Sequence, residues 1–139
     1  MRYWLLKSEP NVFSWQDQVL RGHSGEPWTG VRNHSAKLNL MAMKTGDKAF
    51  FYHSNIGKEI VGIVTVIREA YPDPTATEGP WVCVDVRAES ALPTPLPLDR
   101  IRQDSDLQDM ALIKLSRLSV QPVTEDQWRR VQQLSGLPA

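Results

Sequence analysis

Residues 59–71 form an apolar segment that does not fit a strand with one face in water. Such a strand alternates apolar and polar side chains, whereas both alternating sets are apolar here. The two sets are Ile60, Val64 and Val66 on one side and Val61, Ile63 and Ile67 on the other. The segment therefore predicts a strand that is buried on both faces, or one long strand that bends within a closed barrel.

Further segments are predicted to be extended. Residues 48–54 precede the apolar segment, and the turn-forming residues 55–58 join the two in a pattern typical of a β-hairpin. Residues 3–7 predict a first strand, which ends near the following proline because proline has no N–H for a strand ladder. Residues 81–88 predict another strand, and the proline-rich residues 92–97 are expected to be extended but irregular.

Helix signals mark several short segments. Ser14 is predicted to cap a helix over Trp15–Leu20, and residues 124–127 have the capping-box spacing for a last helix. A partly helical apolar pattern covers residues 35–43 and is followed by a turn. Short helical turns are predicted at residues 98–102 and 107–110, and the last strand lies within residues 112–123.

Strands clustered around short helices indicate an α+β domain with a mainly antiparallel, barrel-like sheet. The chain has 139 residues, which suits one domain, so residues 1–139 are treated as a single unit. No apolar run approaches the roughly 18 residues that span a bilayer. The N-terminus also lacks the cleavage site of a secretory signal. We therefore expect a cytoplasmic protein with no membrane partner.

Metal and cofactor chemistry finds no support in the sequence. His23, His34 and His53 are scattered without ligand spacing, and the single cysteine, Cys83, can form neither an internal disulfide nor a zinc cluster. The glycine-rich loops that cradle nucleoside triphosphates or dinucleotides are missing as well. We expect no metal and no cofactor.

The charge of the chain is zero overall but uneven along its length. Because 16 basic residues balance 16 acidic ones, the whole molecule exerts no bulk attraction on a polyanion. Residues 29–58, however, hold five basic residues against one aspartate, interleaved with aromatic residues. This combination indicates a local site that contacts phosphates and stacks on bases. Solvated lysines around an aromatic core are the other interpretation.

Six sequence blocks, taken in order, resemble a known family. They are YWLLKSEP at residues 3–10, WTGVRN at 28–33, MKTGD at 43–47, FYHSN at 51–55, AYPDP at 70–74 and LSVQPV at 118–123. Together they closely resemble the EVE domain family over essentially the whole chain. The resemblance implies a PUA-like fold, in which a small β-barrel is flanked by short helices.

The resemblance also implies a binding module rather than an enzyme. Members of the family are regarded as readers of a modified base, so the expected partner is DNA or RNA that carries such a base. Flipping a base out of its stack costs a few kcal/mol, which stacking on aromatic faces and hydrogen bonds to the base edge offset. We expect the protein to be a monomer.

The resemblance places the expected pocket in four segments. Their residues are Lys7, Ser8 and Glu9; Trp28, Gly30, Val31, Arg32 and Asn33; Tyr52, Ser54 and Asn55; and Ser119, Gln121 and Pro122. Trp28 is the expected stacking residue, Asn33 the reader of a base edge and Arg32 the phosphate contact. Gly30 permits close approach of the backbone, and the first segment offers acceptors to a base amino group.

Structural roles compete with these assignments at three positions. Trp28 can cover the core instead of stacking on a ligand, and Glu9 can form a surface ion pair. Arg32 can pair with a carboxylate such as Asp47 or Asp73. These alternatives stay open because the sequence does not show which side chains meet.

Two other functions stay open as well. One is a small hydrolase of nucleic acid or nucleotides that uses Glu9 or Asp73 with His53, although His53 is equally well explained as a satisfied structural histidine. The other is a barrel that binds a small molecule or a protein. The hydrolase has neither a metal cluster nor an evident nucleophile in its favour.

Two pairs of residues depart from the family pattern. His34 and Ser35 stand where the family usually has an aromatic residue and a glutamine, and Lys37 and Leu38 replace an arginine and an asparagine. If the aromatic residue stacks on the ligand, His34 would stack less strongly and could make binding depend on pH. The difference concerns the identity of the ligand rather than the fold.

Overall fold

The computed structural model describes residues 1–137. One sheet contains six strands, which are β1 (Tyr3–Ser8), β2 (Glu26–Pro27), β3 (Lys48–His53), β4 (Glu59–Pro72), β5 (Val82–Pro97) and β6 (Val120–Val123). The α-helices are α1 (Trp15–Leu20), α2 (His34–Ala42), α3 (Leu98–Gln103), α4 (Ala111–Lys114) and α5 (Glu125–Leu134). Short 3₁₀ turns lie at Gly22–Ser24 and Ser105–Leu107. None of the helices in this range has both the length and the apolar character needed to cross a membrane.

The sheet is mixed and mainly antiparallel. Its strand order is β2-β5-β4-β3-β1-β6, with β1 and β3 parallel and the other neighbours antiparallel. The predicted α+β class is therefore confirmed. The predicted barrel is not confirmed, because closure requires the two edge strands to pair and β2 and β6 are not paired within residues 1–137.

The central strands are buried on both faces, as the apolar segment predicts. Trp4 on β1 and Val64 on β4 belong to a first core cluster on one face. Their neighbours Leu5 and Ile63 belong to a second cluster on the other face. Each face of the sheet thus has its own core, and helices and loops must cover both.

The two side-chain sets predicted for β4 are not preserved. Two successive residues of β3 pair with Gly62 and Ile60, which leaves Val61 as an extra residue in β4. A bulge of this kind shifts the alternation of side chains by one position. As a result Ile60 and Val64, which share a predicted set, lie in different core clusters.

Local signals located several elements correctly. Ser14 caps α1 and Thr124 caps α5, each with the reciprocal hydrogen bonds of a capping box. α2 begins at His34, with Asn33 as its N-cap, one residue before the predicted start. β5 is longer than predicted because residues 92–97 continue the strand and their end pairs with the start of β4.

One buried carboxylate, Asp47, joins β1 to the connection between α2 and β3. Its Oδ2 atom accepts hydrogen bonds from the Trp4 indole N–H and the Lys44 backbone N–H, both at 3.0 Å. Its Oδ1 atom accepts from the Arg2 backbone N–H at 3.0 Å. Burial opposes ionisation of this carboxyl, but the three donors outweigh it and hold the pKa of Asp47 below its usual value.

Asp47→Asn is expected to lower the free energy of unfolding at pH 7 by about 1–3 kcal/mol, because a neutral amide accepts these hydrogen bonds less well. Chemical denaturation followed by tryptophan fluorescence measures the loss. Since folding lowers the pKa of Asp47, the loss should shrink as the pH falls and the wild-type carboxylate becomes protonated. Glu78→Gln, at an exposed loop position, is the control, and equal losses in the two variants would contradict this role.

Candidate ligand-binding site

A cavity of about 340 Å³ opens where β1 ends and β2 leads into the following residues. Its lining residues are Lys7, Ser8, Val12, Phe13, Arg21, Glu26, Pro27, Trp28 and Thr29. We call it the Trp28 cavity. It brings together two of the four predicted segments, namely the end of β1 and the segment that begins at Trp28.

Trp28 is firmly held at the wall of this cavity. Its backbone N–H donates to the Val84 carbonyl at 2.7 Å, next to the pairing of β2 with β5. Its indole packs edge-on against Phe51, at 5.5 Å between ring centroids, and against Phe13, at 6.2 Å. Because only 7% of Trp28 is exposed, the residue covers the first core cluster and borders the cavity at the same time.

Lys7 and Ser8 supply polar groups to the same wall. Ser8 Oγ donates to the Phe13 backbone carbonyl at 2.6 Å. Lys7 Nζ donates to the Ser116 backbone carbonyl, also at 2.6 Å, and burial lowers the pKa of the Lys7 ammonium. An ammonium group has three N–H donors. Two therefore remain for other acceptors beyond the bond to Ser116.

A second cavity, of about 410 Å³, is lined by Asn33, Ser35 and residues 114–118. We call it the Arg117 cleft. It adjoins the Trp28 cavity because Lys7, which lines the first, donates to Ser116, which lines the second. Among the predicted site residues the cleft contains Asn33, whose Oδ1 atom also accepts from the Ala36 backbone N–H at 2.9 Å and caps α2.

Asp73 fixes the chain between the two cavities. Its Oδ2 atom accepts from the Gly30 backbone N–H at 2.9 Å and from Arg32 Nη1 at 3.0 Å. Its Oδ1 atom accepts from the backbone N–H and the hydroxyl of Thr75, both at 2.7 Å. Burial opposes ionisation, but these donors lower the pKa of Asp73 to about 2. Arg32 thus forms the structural ion pair that competes with a phosphate contact, and its partner is Asp73 rather than Asp47.

His34, the departure from the family pattern, contacts an aromatic side chain outside the predicted site. Its ring lies 4.8 Å from that of Trp81, at 32° between the planes. The guanidinium of Arg32 lies 5.9 Å from the same indole. The sequence predicts Trp81 only as a strand residue, and its contact with α2 was not evident because the two positions are far apart in the chain.

Three predicted residues line neither of these two cavities. Tyr52 is 3% exposed and packs in the second core cluster, because strand alternation places Phe51 rather than Tyr52 on the face of Trp28. Gln121 is fully buried, and its amide donates to backbone carbonyls of the loop before β6. Pro122 is exposed on β6 and lines other cavities beside the N-terminus. The structure does not bring these residues into one pocket with Trp28.

The remaining predicted residues support the end of β1 or the core. Glu9 accepts from the Asn55 side-chain amide at 3.1 Å, so its contact is a hydrogen bond across the turn rather than an ion pair. The backbones of Ser54 and Ser119 bond to the last two residues of β1, at 2.9 and 3.0 Å. Val31 is 6% exposed and belongs to the first core cluster.

His53 has a structural role. Its Nε2 atom accepts the Trp15 backbone N–H at 3.1 Å, and burial lowers the pKa of His53, which favours the neutral form that can accept. Within residues 1–137, His53 is hydrogen-bonded to neither Glu9 nor Asp73, the carboxylates of the hydrolase hypothesis. The same range contains no group of three His, Cys, Asp or Glu residues that could hold a metal.

Several lining residues were missed from the sequence. Phe13 was not assigned to any element or site, although it lines the Trp28 cavity and packs on Trp28. Arg21 and Glu26, which form an ion pair of 2.9 Å at this cavity, are also new. For residues 114–118, which line the Arg117 cleft, one feature of the sequence could have indicated a binding site. This feature is the pair of basic residues Lys114 and Arg117, which lie within four positions.

The EVE domain family profile matches residues 2–134 of this chain. The chain belongs to the EVE domain family. It is 36% identical to thymocyte nuclear protein 1 of Gallus gallus over 158 aligned positions, which cover 91% of this chain and 65% of that protein. This chain thus spans about two thirds of the length of that relative.

Solved structures of the EVE domain family share the fold described above. An NMR structure from Rhodopseudomonas palustris has a TM-score of 0.93 at 59% identity, covering 98% of this chain and 94% of that one. The crystal structure of human THYN1 protein in complex with DNA containing 5-methylcytosine has a TM-score of 0.89 at 32% identity, with 100% of both chains covered.

Asp73→Asn is expected to destabilise the fold by about 2 kcal/mol near pH 7, because a pKa lowered from 3.8 to about 2 on folding corresponds to that difference. The ionised carboxylate contributes this stability above about pH 4, and the contribution is lost as the pH falls toward 2. Thermal unfolding of both proteins at several pH values measures the difference. A difference in stability between the wild type and the variant that grows below pH 4 would contradict the role assigned to Asp73.

Proposed function

We propose that this EVE domain is a non-catalytic module that binds a modified base of nucleic acid in the Trp28 cavity. The likeness to human THYN1 protein in complex with DNA containing 5-methylcytosine carries this proposal. The whole of this chain aligns with that structure, and the end of β1 and the Trp28 segment meet at one cavity here. DNA with 5-methylcytosine is therefore the first ligand to test, and RNA is the comparison.

The cavity suits a single base. Its volume of about 340 Å³ lies at the small end of the range for sites that enclose small molecules. Trp28 and Phe13 offer aromatic surface for stacking, while Lys7 and Ser8 place polar atoms at the same wall. Enclosing one base this way would offset the few kcal/mol that flipping it costs.

Selectivity for a methylated base depends on shape. A buried methyl group contributes only about 0.8 kcal/mol, which is less than a tenfold preference. Val12 and Pro27 line the cavity and give it apolar surface that a methyl group can contact. A base without the methyl group would leave this surface partly in contact with water.

A non-catalytic role agrees with the state of the candidate catalytic groups. Asp73 holds Gly30, Arg32 and Thr75 in place, and His53 accepts a backbone N–H. These contacts support structural roles for Asp73 and His53, and Glu9, the other carboxylate of the hydrolase hypothesis, accepts a hydrogen bond from Asn55. A monomeric state and a cytoplasmic location stay predictions from the sequence.

Trp28→Phe should weaken binding of a single-stranded oligonucleotide with one 5-methylcytosine by roughly three- to tenfold, because stacking on an aromatic side chain contributes about 1–3 kcal/mol per base. Phenylalanine keeps the contact with Phe51, whereas alanine at this buried position would cost about 3–5 kcal/mol of stability. Fluorescence anisotropy with a labelled oligonucleotide measures the affinity. Unmethylated DNA and the matching RNA strand serve as competitors.

Trp128→Phe is the matched control for this variant. Trp128 is also buried, at 3% exposure, but it lies in the second core cluster and stacks on Phe50 with 3.8 Å between ring centroids. Its replacement should cost stability without changing affinity. Equal loss of affinity in both variants, or equal affinity of the wild type for methylated and unmethylated strands, would refute the proposal.

A further inference from the structure

The Arg117 cleft has the chemical character of an anion site. Two of its lining residues, Lys114 and Arg117, are basic, and none of them is acidic. Asn33, Ser35 and Ser116 add an amide and two hydroxyl groups that can donate hydrogen bonds. A lining that presents donors and positive charge, with no acidic residue of its own, favours a ligand rich in anionic oxygen atoms.

The two cations of the cleft are not equally available. Lys114 forms an ion pair with Asp109, with 2.8 Å between Nζ and Oδ1. Arg117 is exposed, and within residues 1–137 the structure shows no ion pair to its guanidinium. A guanidinium can donate two parallel hydrogen bonds to one phosphate group, which makes Arg117 the principal contact that the cleft can offer.

Lys7 links the cleft to the Trp28 cavity. Its ammonium lies 2.6 Å from the Ser116 carbonyl, at the boundary between the two spaces, and keeps two further donors. On the other side of the boundary, residues 29–33 run from Thr29 in the cavity to Asn33 in the cleft. Asp73 holds that stretch through the Gly30 backbone N–H and the Arg32 guanidinium.

We propose that the Arg117 cleft binds the phosphodiester backbone next to the base in the Trp28 cavity, with Arg117 as its main contact and Lys7 at the junction. This inference rests on the proposed function, because the base determines where the strand enters. Arg32, the phosphate contact expected from the sequence, has its guanidinium held by Asp73. Arg117 makes the phosphate contact instead, although it was not among the site residues predicted from the sequence.

The test measures binding of the base alone and binding of the base together with its phosphodiester backbone. One probe is the nucleoside 5-methyl-2′-deoxycytidine, which has no phosphate, and the other is a short single-stranded oligonucleotide with one central 5-methylcytosine. Binding of both to the full chain is measured over a series of salt concentrations. Arg117→Met removes the charge and keeps an unbranched side chain at an exposed position, where the fold should tolerate it.

Arg117→Met should bind the oligonucleotide about three- to tenfold more weakly at low salt and the nucleoside as well as the wild type does. The slope of log K against log salt concentration is negative, and its magnitude should decrease by about 0.7, the contribution of one phosphate contact on a single strand. Arg129→Met is the matched control, because Arg129 is exposed on α5 and pairs with Glu125. It should leave both affinities and the slope unchanged.

An unchanged slope in Arg117→Met, or an equal decrease in the Arg129→Met control, would overturn the inference. So would loss of nucleoside binding in Arg117→Met, which would make Arg117 part of the base pocket. Failure of the proposed function gives a different pattern. In that case the wild type would bind methylated and unmethylated strands equally, while the Arg117 variant would still lower the salt slope.

Discussion

Burial of the central strands on both faces is the constraint on which the rest of this structure depends. Side chains of β1, β3 and β4 alternate between two core clusters, so both faces must be shielded from water. Phe51 points into the cluster that Trp28 and α2 cover, and Phe50 points into the cluster that holds Trp128 of α5. The polar end of β1, at Lys7 and Ser8, lies at the rim of the sheet, where the Trp28 cavity opens.

Two buried aspartates attach the covering segments to this sheet. Asp47 bonds to β1 and to the turn after α2, and Asp73 bonds to the chain before α2. Both carboxyls have pKa values below the usual range, because several donors converge on each of them and outweigh the cost of burial. The chain around α2 is thereby fixed at both ends, which sets the position of Trp28 and Asn33.

The two cavities differ in the chemistry of their linings. The lining of the Trp28 cavity combines two aromatic side chains with the charged residues Lys7, Arg21 and Glu26, whereas the lining of the Arg117 cleft has two cations and no carboxylate, which favours a phosphate. This arrangement explains how a chain with no net charge could bind a polyanion locally. The contact between His34 and Trp81 gives position 34, which departs from the family pattern, an aromatic partner within the protein.

The sequence by itself determined what depends on near neighbours. The two-sided burial of β4, the hairpin with β3 and the caps Ser14 and Thr124 all follow from periodicity or from contacts within four residues. The tertiary structure decided which distant groups meet. The contact from Lys7 to Ser116 and the pairing of Arg32 with Asp73 span 109 and 41 positions, respectively. A bulge at Val61 shifts the alternation of β4 against β3, and no local pattern reports such a pairing shift because it depends on the partner strand.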